Sequence, residues 1–368
     1  MYRNRLQKLR TLLHTKRLPA LFVTSPQNVT YLSGFRGLCS TDVLVPCLTD
    51  PEVVLLITKD NAYMIADGRY TDAVRNINGF EHMPLEKNIS VTLRAFCTLL
   101  GIKKLGVEYE ALRAVDLHAL QKILRGITIA DASTLIPELR KEKDTKEITA
   151  LTKASRVTDT AFTALLAHVR PGMTEGAVAH FLVDFFHRHA DGPAFAPIVA
   201  SDAGAAIPHY RTNNTKKIRN GEMLLLDFGA QVGGYHADMS RTIFIGKATS
   251  RFKKIYTLVL DAQEKTIAEL HVGMRGNDAD AIAREVLAAQ GYKKEFAHST
   301  GHGVGLQIHE DPRLSPLTSN VLKKNHVFTV EPGLYFPSWG GVRIEDTILL
   351  TAKGPRILTR SSKKLIEI

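Results

Sequence analysis

Cysteine is scarce in this sequence. The 368 residues include three cysteines, Cys39, Cys47 and Cys97, and their spacing matches neither a metal-binding motif nor a redox motif. An odd number of thiols without such spacing is typical of reduced cysteines, so we expect a cytoplasmic protein.

Long apolar runs and long basic tracts are also missing. No segment approaches the roughly 20 apolar residues that a membrane-spanning helix needs, and the basic amino terminus lacks the apolar core and cleavage site of a secretory signal. The net charge is +11, but the lysines and arginines are scattered, often in pairs such as Lys216-Lys217 and Lys253-Lys254. We therefore expect no membrane partner, and a solvated basic surface rather than a nucleic-acid groove.

The length and an ordinary globular composition predict two domains. In the first, hydrophobic periodicity predicts helices over 2–16, 89–100 and 114–124, and strands over 18–24, 43–48, 53–58, 61–67, 104–108 and 128–131. Because helices and strands alternate, we expect an α/β domain with a mixed sheet over residues 1–135. A charged segment near 135–146 marks the boundary to a second domain, residues 136–368.

The second domain begins with helices. The Asp144/Glu147 pair is a capping signal ahead of a helix over 148–166, and a second helix is predicted over 175–189. Further helices are predicted over 251–270 and 278–290, after which the tail from His298 alternates strands with glycine-rich turns.

Residues 222–245 have the pattern of a β-hairpin with two aspartates. If the two-residue loop is Val232-Gly233, Asp227 lies opposite Asp238, and if it is Gly233-Gly234 the two are diagonal neighbours. Both registers place the carboxylates on one face, where like charges repel unless a cation neutralises them. A bulge that turns one aspartate to solvent is the alternative.

Three later segments add polar groups. Residues 298–310 hold His298, His302 and His309 in a glycine-rich stretch, and an apolar strand ends at Glu331 before a proline. A strand over 341–347 should place Arg343, Glu345 and Thr347 on one face. A buried glutamate there needs a partner, and a salt bridge between Arg343 and Glu345 is the simplest structural explanation.

Taken together, these segments match a site for two divalent metals. The ligand types are four carboxylates and one imidazole: Asp227, Asp238, His302, Glu331 and Glu345. Oxygen-rich ligation with a single histidine suits Mn, our first choice, or Co, Fe or Zn, and differs from the cysteine-rich ligation of structural zinc.

In order and context these residues resemble the ligand set of the methionine aminopeptidase and Xaa-Pro peptidase superfamily. Residues 1–135, with Asn28-Val-Thr-Tyr31 and Asp67-Gly68-Arg69, resemble the creatinase-type amino-terminal domain, which points to the proline-specific branch. The resemblance implies an α/β (α+β) protein in which a creatinase-like domain precedes a "pita-bread" metallopeptidase domain. It also implies a proline-containing peptide as substrate and a homodimer.

The resemblance implies a role for each site residue. Asp227 would bind one metal, His302 and Glu331 the other, with Asp238 and Glu345 bridging. Glu331 would also shuttle the proton, while His309 and His209 would stabilise the developing negative charge. The residues implied in substrate contacts or near the metal centre are His209, His298, His309, Arg313, Tyr335 and Arg343. The segment Asp202-Ala203-Gly204 departs from the Gly-Pro-Asn that family members often carry.

We expect an Xaa-Pro aminopeptidase, which releases the residue before proline. Arg313 keeps an Xaa-Pro dipeptidase open, because it is placed like an arginine that holds a dipeptide's carboxylate in some prolidases; a surface arginine is the alternative. Two remoter alternatives are a metal-free creatinase-like hydrolase and a non-catalytic nucleic-acid-binding or protein-binding homologue. The complete ligand set argues against both.

Overall fold

A computed structural model describes residues 2–37, 52–85 and 88–368. The chain divides into two compact units, Met1–Arg140 and Lys141–Ile368, which we treat separately. The predicted strand over 43–48 and the cysteines Cys39 and Cys47 lie outside the described residues. No helix in the described part of the chain combines the length and the apolar character that crossing a bilayer requires.

The first unit is built around a six-stranded sheet. Its strands are β1 (Ala20–Val23), β2 (Val53–Thr58), β3 (Ala62–Ala66), β4 (Glu81–Pro84), β5 (Lys104–Val107) and β6 (Thr128–Asp131). Its helices are α1 (Tyr2–Thr15), α2 (Pro26–Ser33), α3 (Thr71–Val74), α4 (Ile89–Leu99) and α5 (Ala114–Ile123), and α6 (Leu135–Lys141) follows. The strand order is β4-β3-β2-β1-β5-β6, with β1 antiparallel to β2 and parallel to β5. The predicted mixed sheet is confirmed.

Helix α2 and strand β4 were not predicted. Pro26 looks like a strand breaker, but proline suits the first turn of a helix, where its missing N–H costs nothing. The Ser25 side chain caps that turn by accepting from Asn28 N, and Gly34 ends the helix at φ 82°. The segment thus has ordinary start and stop signals on a helix of eight residues, too short for periodicity to reveal.

The second unit surrounds its strands with four helices: α7 (Thr145–His168), α8 (Glu175–His189), α9 (Ser250–Glu269) and α10 (Gly276–Ala289). The strands before α9 are β7 (Gly192–Pro193), β8 (Ile198–Ser201), β9 (Met223–Phe228), β10 (Ala230–Val232), β11 (Tyr235–His236) and β12 (Met239–Phe244). Those after α10 are β13 (Gly301–Gly303), β14 (Glu310–Leu314), β15 (Val327–Val330), β16 (Gly333–Phe336), β17 (Gly340–Arg343), β18 (Asp346–Thr351) and β19 (Gly354–Ile357).

Four sheets arise from these strands, in the orders β12-β9-β8, β14-β13-β15-β18-β19, β16-β17 and β11-β10-β7. The predicted start of α7 is confirmed in detail: Asp144 accepts from the amides of Lys146 and Glu147, and the Glu147 side chain accepts from Asp144 N. This reciprocal capping box fixes where the second unit's first helix begins.

The predicted strand over 341–347 is wrong as a single element. Strand β17 ends at Arg343 and pairs with β16, whereas β18 begins at Asp346 and pairs with β15 and β19. Between them Glu345 N donates to Ser240 O at 3.1 Å. The chain therefore changes sheets at Ile344-Glu345, where Ile344 N donates to Pro332 O and Glu345 N donates to Ser240 O on β12.

The turns that precede helices α8 and α10 have the same geometry. Gly172 and Gly273 have φ angles of 92° and 96°, and their amides donate to Ile218 O and Leu322 O at 2.8 Å. Positive φ suits glycine at a turn of this kind. Each turn thereby connects the start of its helix to a later segment of the chain. For α8, that segment follows the loop that carries His209.

Candidate metal centre

The hairpin has the second of the two registers considered from the sequence. Val232 pairs with Tyr235, so the loop is Gly233-Gly234, and Asp227 on β9 lies opposite Ser240 on β12. Asp238 is two residues before Ser240 and is therefore the diagonal neighbour of Asp227. Both carboxylates line the same cavity.

That cavity of about 300 Å³ collects the predicted site. It is lined by His209, Asp227, Asp238, His298, His302, His309, Arg313, Glu331, Arg343 and Glu345, together with Phe195, Ile198, Pro208, Ser299 and Ile308. Of the predicted residues only Tyr335 does not line it; this side chain is buried behind the wall. Residues more than 100 positions apart in the sequence thus meet in one place.

Three of these side chains form a group that could hold a metal ion. Ligand atoms of Asp238, His302 and Glu345 all lie within 4.8 Å of one another. His302 Nε2 lies 3.2 Å from Glu331 Oε1 and 3.6 Å from Asp238 Oδ2. All of these atoms are buried or nearly so, which gives a compact cluster of anionic and nitrogen donors.

The donor atoms themselves fit a cation. His302 Nδ1 lies 3.1 Å from the Gly303 carbonyl, which can only accept, so a neutral His302 points the lone pair of Nε2 at the carboxylates. Asp227 Oδ1 and Glu345 Oε1 are buried without a hydrogen-bond partner among the described residues. Buried acceptors that face one another are costly unless a positive charge joins them. The residues present therefore suit divalent metal.

The pKa shifts of the carboxyl groups in the metal-free protein also indicate a site for a cation. Burial raises the pKa of Asp238 well above its ordinary value, and the charges of Glu345, Asp227 and Glu331 raise it further. Burial likewise raises the pKa of Glu345, again with help from Glu331 and Asp227. The pKa of Glu331 is instead lowered to about 2: burial opposes this, but the hydrogen bond with His302 and the electrostatic effects of His302, His298 and Arg343 outweigh it. Without a metal, Asp238 and Glu345 therefore bind protons more readily than ordinary carboxyl groups.

Arg343 is the centre of a second network. Its Nη2 lies 2.5 Å from Asp227 Oδ2, its Nε donates to Ser240 Oγ at 2.8 Å, and its Nη1 donates to Tyr335 OH at 2.9 Å. The salt bridge with Glu345, considered from the sequence as a structural explanation, is not what forms. Because the chain turns between β17 and β18, the partner of Arg343 is on β9, and Ser240 Oγ donates to Glu345 Oε2 at 2.6 Å instead.

Tyr335 connects Arg343 to His298. The His298 Nδ1 lies 2.8 Å from the Ser299 carbonyl, so Nδ1 carries the proton. Nε2 is then the acceptor of a hydrogen bond from the Tyr335 hydroxyl at 2.8 Å. Burial lowers the pKa of His298, which keeps the ring neutral and preserves this direction of the hydrogen bonds. Burial also raises the pKa of Tyr335 to about 12.

The remaining predicted residues border the predicted metal ligands. The ring of His309 lies 4.3 Å from that of His302, and its pKa is lowered to about 4 by burial and then by the charge of His302. A neutral His309 still offers one N–H donor. Arg313 on β14 pairs with His302 on β13, and His209 is an exposed residue of the loop after β8.

Two hydroxyl residues were missed by the sequence reasoning. Ser240 bridges Arg343 and Glu345, and Thr329 Oγ1 donates to Glu331 Oε1 at 3.0 Å while accepting from His302 N at 3.1 Å. Each lies two residues from a predicted ligand, Asp238 or Glu331. A period of two along a strand places such neighbours on the same face, so the pattern contained the signal.

Family models match both units of the chain. Metallopeptidase family M24 matches residues 149–352, and the Creatinase/Prolidase N-terminal domain matches residues 5–141. The peptidase YqhT of Bacillus subtilis (strain 168) is 36% identical over 365 residues, covering 98% of this chain and 99% of the relative.

Solved structures agree along the whole chain. An Xaa-Pro dipeptidase from Bacillus anthracis has a TM-score of 0.93 and 34% identity, covering 100% of both chains. An X-Pro aminopeptidase from Thermotoga maritima has a TM-score of 0.89 and 29% identity, covering 99% of both. The similarity therefore extends over both units of the chain. The similar structures include a dipeptidase and an aminopeptidase.

Proposed function

The chain belongs to metallopeptidase family M24, and from that premise we propose that it hydrolyses the peptide bond that precedes a proline (the Xaa-Pro bond). Its architecture, a creatinase-like α/β domain followed by a pita-bread metallopeptidase domain, confirms the fold predicted from the sequence. The convergence of Asp238, His302 and Glu345 beside Glu331 and Asp227, with unpartnered buried oxygens, is the observation that carries the proposal.

The five acidic and histidine side chains would hold two divalent ions, with Mn as first choice. Such ions lower the pKa of bound water and polarise a substrate carbonyl. Glu331 would accept the proton of the attacking water and deliver it to the leaving proline nitrogen. Its pKa, lowered to about 2 in the metal-free protein, keeps the Glu331 carboxylate ionised. His309 and His209 would donate N–H groups to the oxygen on which negative charge develops.

Substrate length is the finer question. Arg313 lines the cavity beside His309 and is opposite His302 in the β13–β14 pairing, which favours capture of a carboxylate one residue beyond the scissile bond. A guanidinium at that place suits the free carboxylate of an Xaa-Pro dipeptide. We therefore propose dipeptides as preferred substrates. Aminopeptidase activity, which we expected from the sequence, stays a prediction supported by the likeness to the Thermotoga enzyme.

A matched pair of substrates tests both the proposed activity and the proposed preference for dipeptides. Metal-reconstituted enzyme is assayed on Leu-Pro and on Leu-Pro-Ala-Ala, with metal content measured on the same preparation. We expect Leu-Pro to be cleaved, and Arg313→Met to reduce kcat/KM on Leu-Pro roughly tenfold or more, as loss of a charge-assisted hydrogen bond does. The tetrapeptide should be affected less than about twofold, since its carboxylate lies farther away.

Arg356→Met is the matched control, because Arg356 is exposed on β19, at the opposite edge of the same sheet. Preference for the tetrapeptide without any effect of Arg313→Met would show an aminopeptidase. Failure to cleave either peptide with metal bound would refute the proposed function. We also propose a homodimer, a cytoplasmic location and Mn as the bound metal. Sedimentation, cell fractionation and metal analysis, respectively, test these proposals.

A further inference from the structure

The loop that carries His209 is closed at its base by one buried carboxylate. Residues 202–212 connect β8 to the following segment, and both ends of the loop meet Glu175, the first residue of α8. Glu175 Oε1 accepts from Ser201 N at 2.8 Å and from Ser201 Oγ at 2.7 Å, and Oε2 accepts from Asn213 N at 3.1 Å. The Glu175 side chain therefore holds the loop's two ends together, beside Thr212 Oγ1, which accepts from Val199 N at 2.9 Å and donates to Pro197 O at 3.0 Å.

Charge makes this closure strong. The Glu175 side chain is 0% exposed, and Lys216 Nζ lies 3.2 Å from Oε1. Lys216 also donates to the Ser201 carbonyl and lies over the ring of Tyr210. A buried carboxylate is tolerated when its oxygens are hydrogen-bonded and a cation is near, and the amino-terminal end of a helix favours its charge further.

The backbone packs closely around these contacts. Glu175 N donates to Lys216 O at 3.0 Å, and Gly176 N donates to Asn213 O at 3.1 Å. A Cβ at Gly176 would lie 2.7 Å from Asn214 Cα, and one at Gly204 would lie 3.1 Å from both Lys216 Nζ and the Tyr210 ring. Glycine is thus needed at Gly176, where the clash is with backbone, whereas a Cβ at Gly204 would require the Lys216 and Tyr210 side chains to shift.

At the tip, the loop contacts the metal centre. The Pro208 carbonyl accepts from Arg343 Nη1 at 3.3 Å, and the next residue, His209, lines the cavity with an exposed side chain. Because little packing holds the His209 ring, the loop backbone determines where its N–H points. That backbone is fixed at its base by Glu175 and at its tip by Arg343.

We propose that Glu175, neutralised by Lys216, is a positioning residue that sets His209 for catalysis without touching the substrate. The inference rests on the proposed function, in which His209 donates to the developing charge. All groups facing the Glu175 carboxylate are donors, namely Ser201 N–H and O–H, Asn213 N–H, the Lys216 ammonium and the Tyr210 hydroxyl. Glu175→Gln keeps the shape but turns an NH₂ donor toward donors, so it should loosen the loop base.

The kinetic experiment compares Glu175→Gln with Glu108→Gln in the full-length, metal-loaded enzyme. Glu108 is a matched control in the first unit: it is equally buried and accepts from Thr24 N, Ser25 N and Asn28 Nδ2. We expect Glu175→Gln to lower kcat on Leu-Pro about 10- to 100-fold, with KM and Mn²⁺ affinity changed less than threefold, as for an interaction made in the transition state. Glu108→Gln should lower Tm comparably and leave kcat within twofold.

A double-mutant cycle shows whether the effect passes through His209. If it does, Glu175→Gln should cost less than twofold in kcat when His209→Ala is already present. Full additivity of the two losses, or a loss of Mn²⁺ affinity that parallels the loss of kcat, would overturn the proposal.

Limited trypsin digestion provides a readout independent of activity. Arg211 lies on the loop, and its peptide bond should be cut at least tenfold faster in Glu175→Gln than in Glu108→Gln. Equal rates would overturn the proposal that Glu175 holds the loop, even if the kinetics changed. If the wild-type enzyme cleaves no Xaa-Pro peptide, the proposed function fails, while the digestion still decides whether Glu175 holds the loop.

Discussion

Arg343 Nη2 lies 2.5 Å from Asp227 Oδ2, across two strands that are 116 positions apart in the sequence. The remaining nitrogens of the guanidinium donate to Ser240 Oγ, Tyr335 OH and the Pro208 carbonyl. One buried arginine therefore orients a proposed metal ligand, the hydroxyl that holds Glu345, and the loop that carries His209. Few side chains other than arginine have donors in the fork that this geometry needs.

Arg343→Lys should fail as a conservative replacement. A lysine ammonium can balance the charge of Asp227 but cannot reach Ser240, Tyr335 and Pro208 together. We expect Mn²⁺ affinity or kcat to fall about 10- to 100-fold, the usual cost of losing a residue that orients metal ligands. Calorimetric titration of Mn²⁺ and steady-state kinetics measure this. Arg356→Lys, at an exposed position, should leave both values unchanged, and wild-type behaviour of Arg343→Lys would show that charge alone matters.

Asp238→Asn should abolish metal binding and cleavage together, yet stabilise the metal-free protein. The Asp238 pKa is raised by burial and by Glu345, Asp227 and Glu331, so its ionised form opposes folding when no metal is bound. In EDTA at pH 7.5 we expect the variant to melt higher than wild type, by about 2–4 °C for each kcal/mol relieved. Addition of Mn²⁺ should raise the Tm of wild type only.

The pH dependence of that difference has a definite sign. A folded-state pKa above the unfolded value contributes stability below the unfolded pKa, and this contribution is lost as pH rises through the folded pKa. The Tm advantage of Asp238→Asn in EDTA should therefore shrink as the pH falls toward about 4, the pKa of an unfolded aspartate. Asp184→Asn, on an exposed part of α8, should show no such trend. A variant that melts below wild type at every pH would contradict the repulsion.

His326 should make the protein acid-sensitive. Its side chain is buried, and its pKa is lowered to about 3 by burial and then by Lys143, Lys323 and Lys141. Below about pH 6.5 the unfolded chain binds a proton at His326, while the folded chain does not. The free energy of unfolding therefore decreases as the pH is lowered from about 6.5 to 3, by up to about 1.4 kcal/mol per pH unit.

His326→Asn tests this, because the asparagine oxygen can still accept from Lys323 N as Nδ1 does at 3.1 Å. Urea unfolding in EDTA should show the variant less stable at pH 7, with the gap to wild type closing as the pH falls to 4. His180→Asn, at an exposed position of α8, is the control. A gap that stays constant with pH would show that His326 does not titrate.

Arg17→Gly should stabilise the first unit. Helix α1 ends with Arg17 N donating to His14 O and Leu18 N donating to Leu13 O, and Arg17 has a φ of 55°. This is the Schellman arrangement, in which glycine is preferred at the left-handed position. We expect a gain of about 1 kcal/mol, since the left-handed conformation costs a residue with a Cβ about 1–2 kcal/mol. Calorimetry measures it, and Arg17→Ala, which keeps the Cβ, should bring no gain.

The sequence predicted the elements whose signals are local. Asp144 and Glu147 mark the start of α7 because a capping box needs only residues three apart. The mixed sheet of the first unit, the helices of the second and the hairpin at 222–245 follow from periodicity and glycine turns in the same way. Helix α2 escaped because its eight residues are too few for a periodic pattern.

Ligand chemistry was also readable along the chain, while its arrangement was not. Carboxylates and histidines at strand ends predicted a metal site by type and count, and the family resemblance proposed a role for each. The choice between two hairpin registers, the pairing of Arg343 with Asp227 instead of Glu345, and the break between β17 and β18 were decided only by tertiary structure. The last two features depend on hydrogen bonds and ion pairs between segments about 100 residues apart, which no local pattern specifies, whereas the register depends on which residues form the turn. The same holds for Glu175, whose sequence position marks a helix start and whose contacts reveal a support for His209.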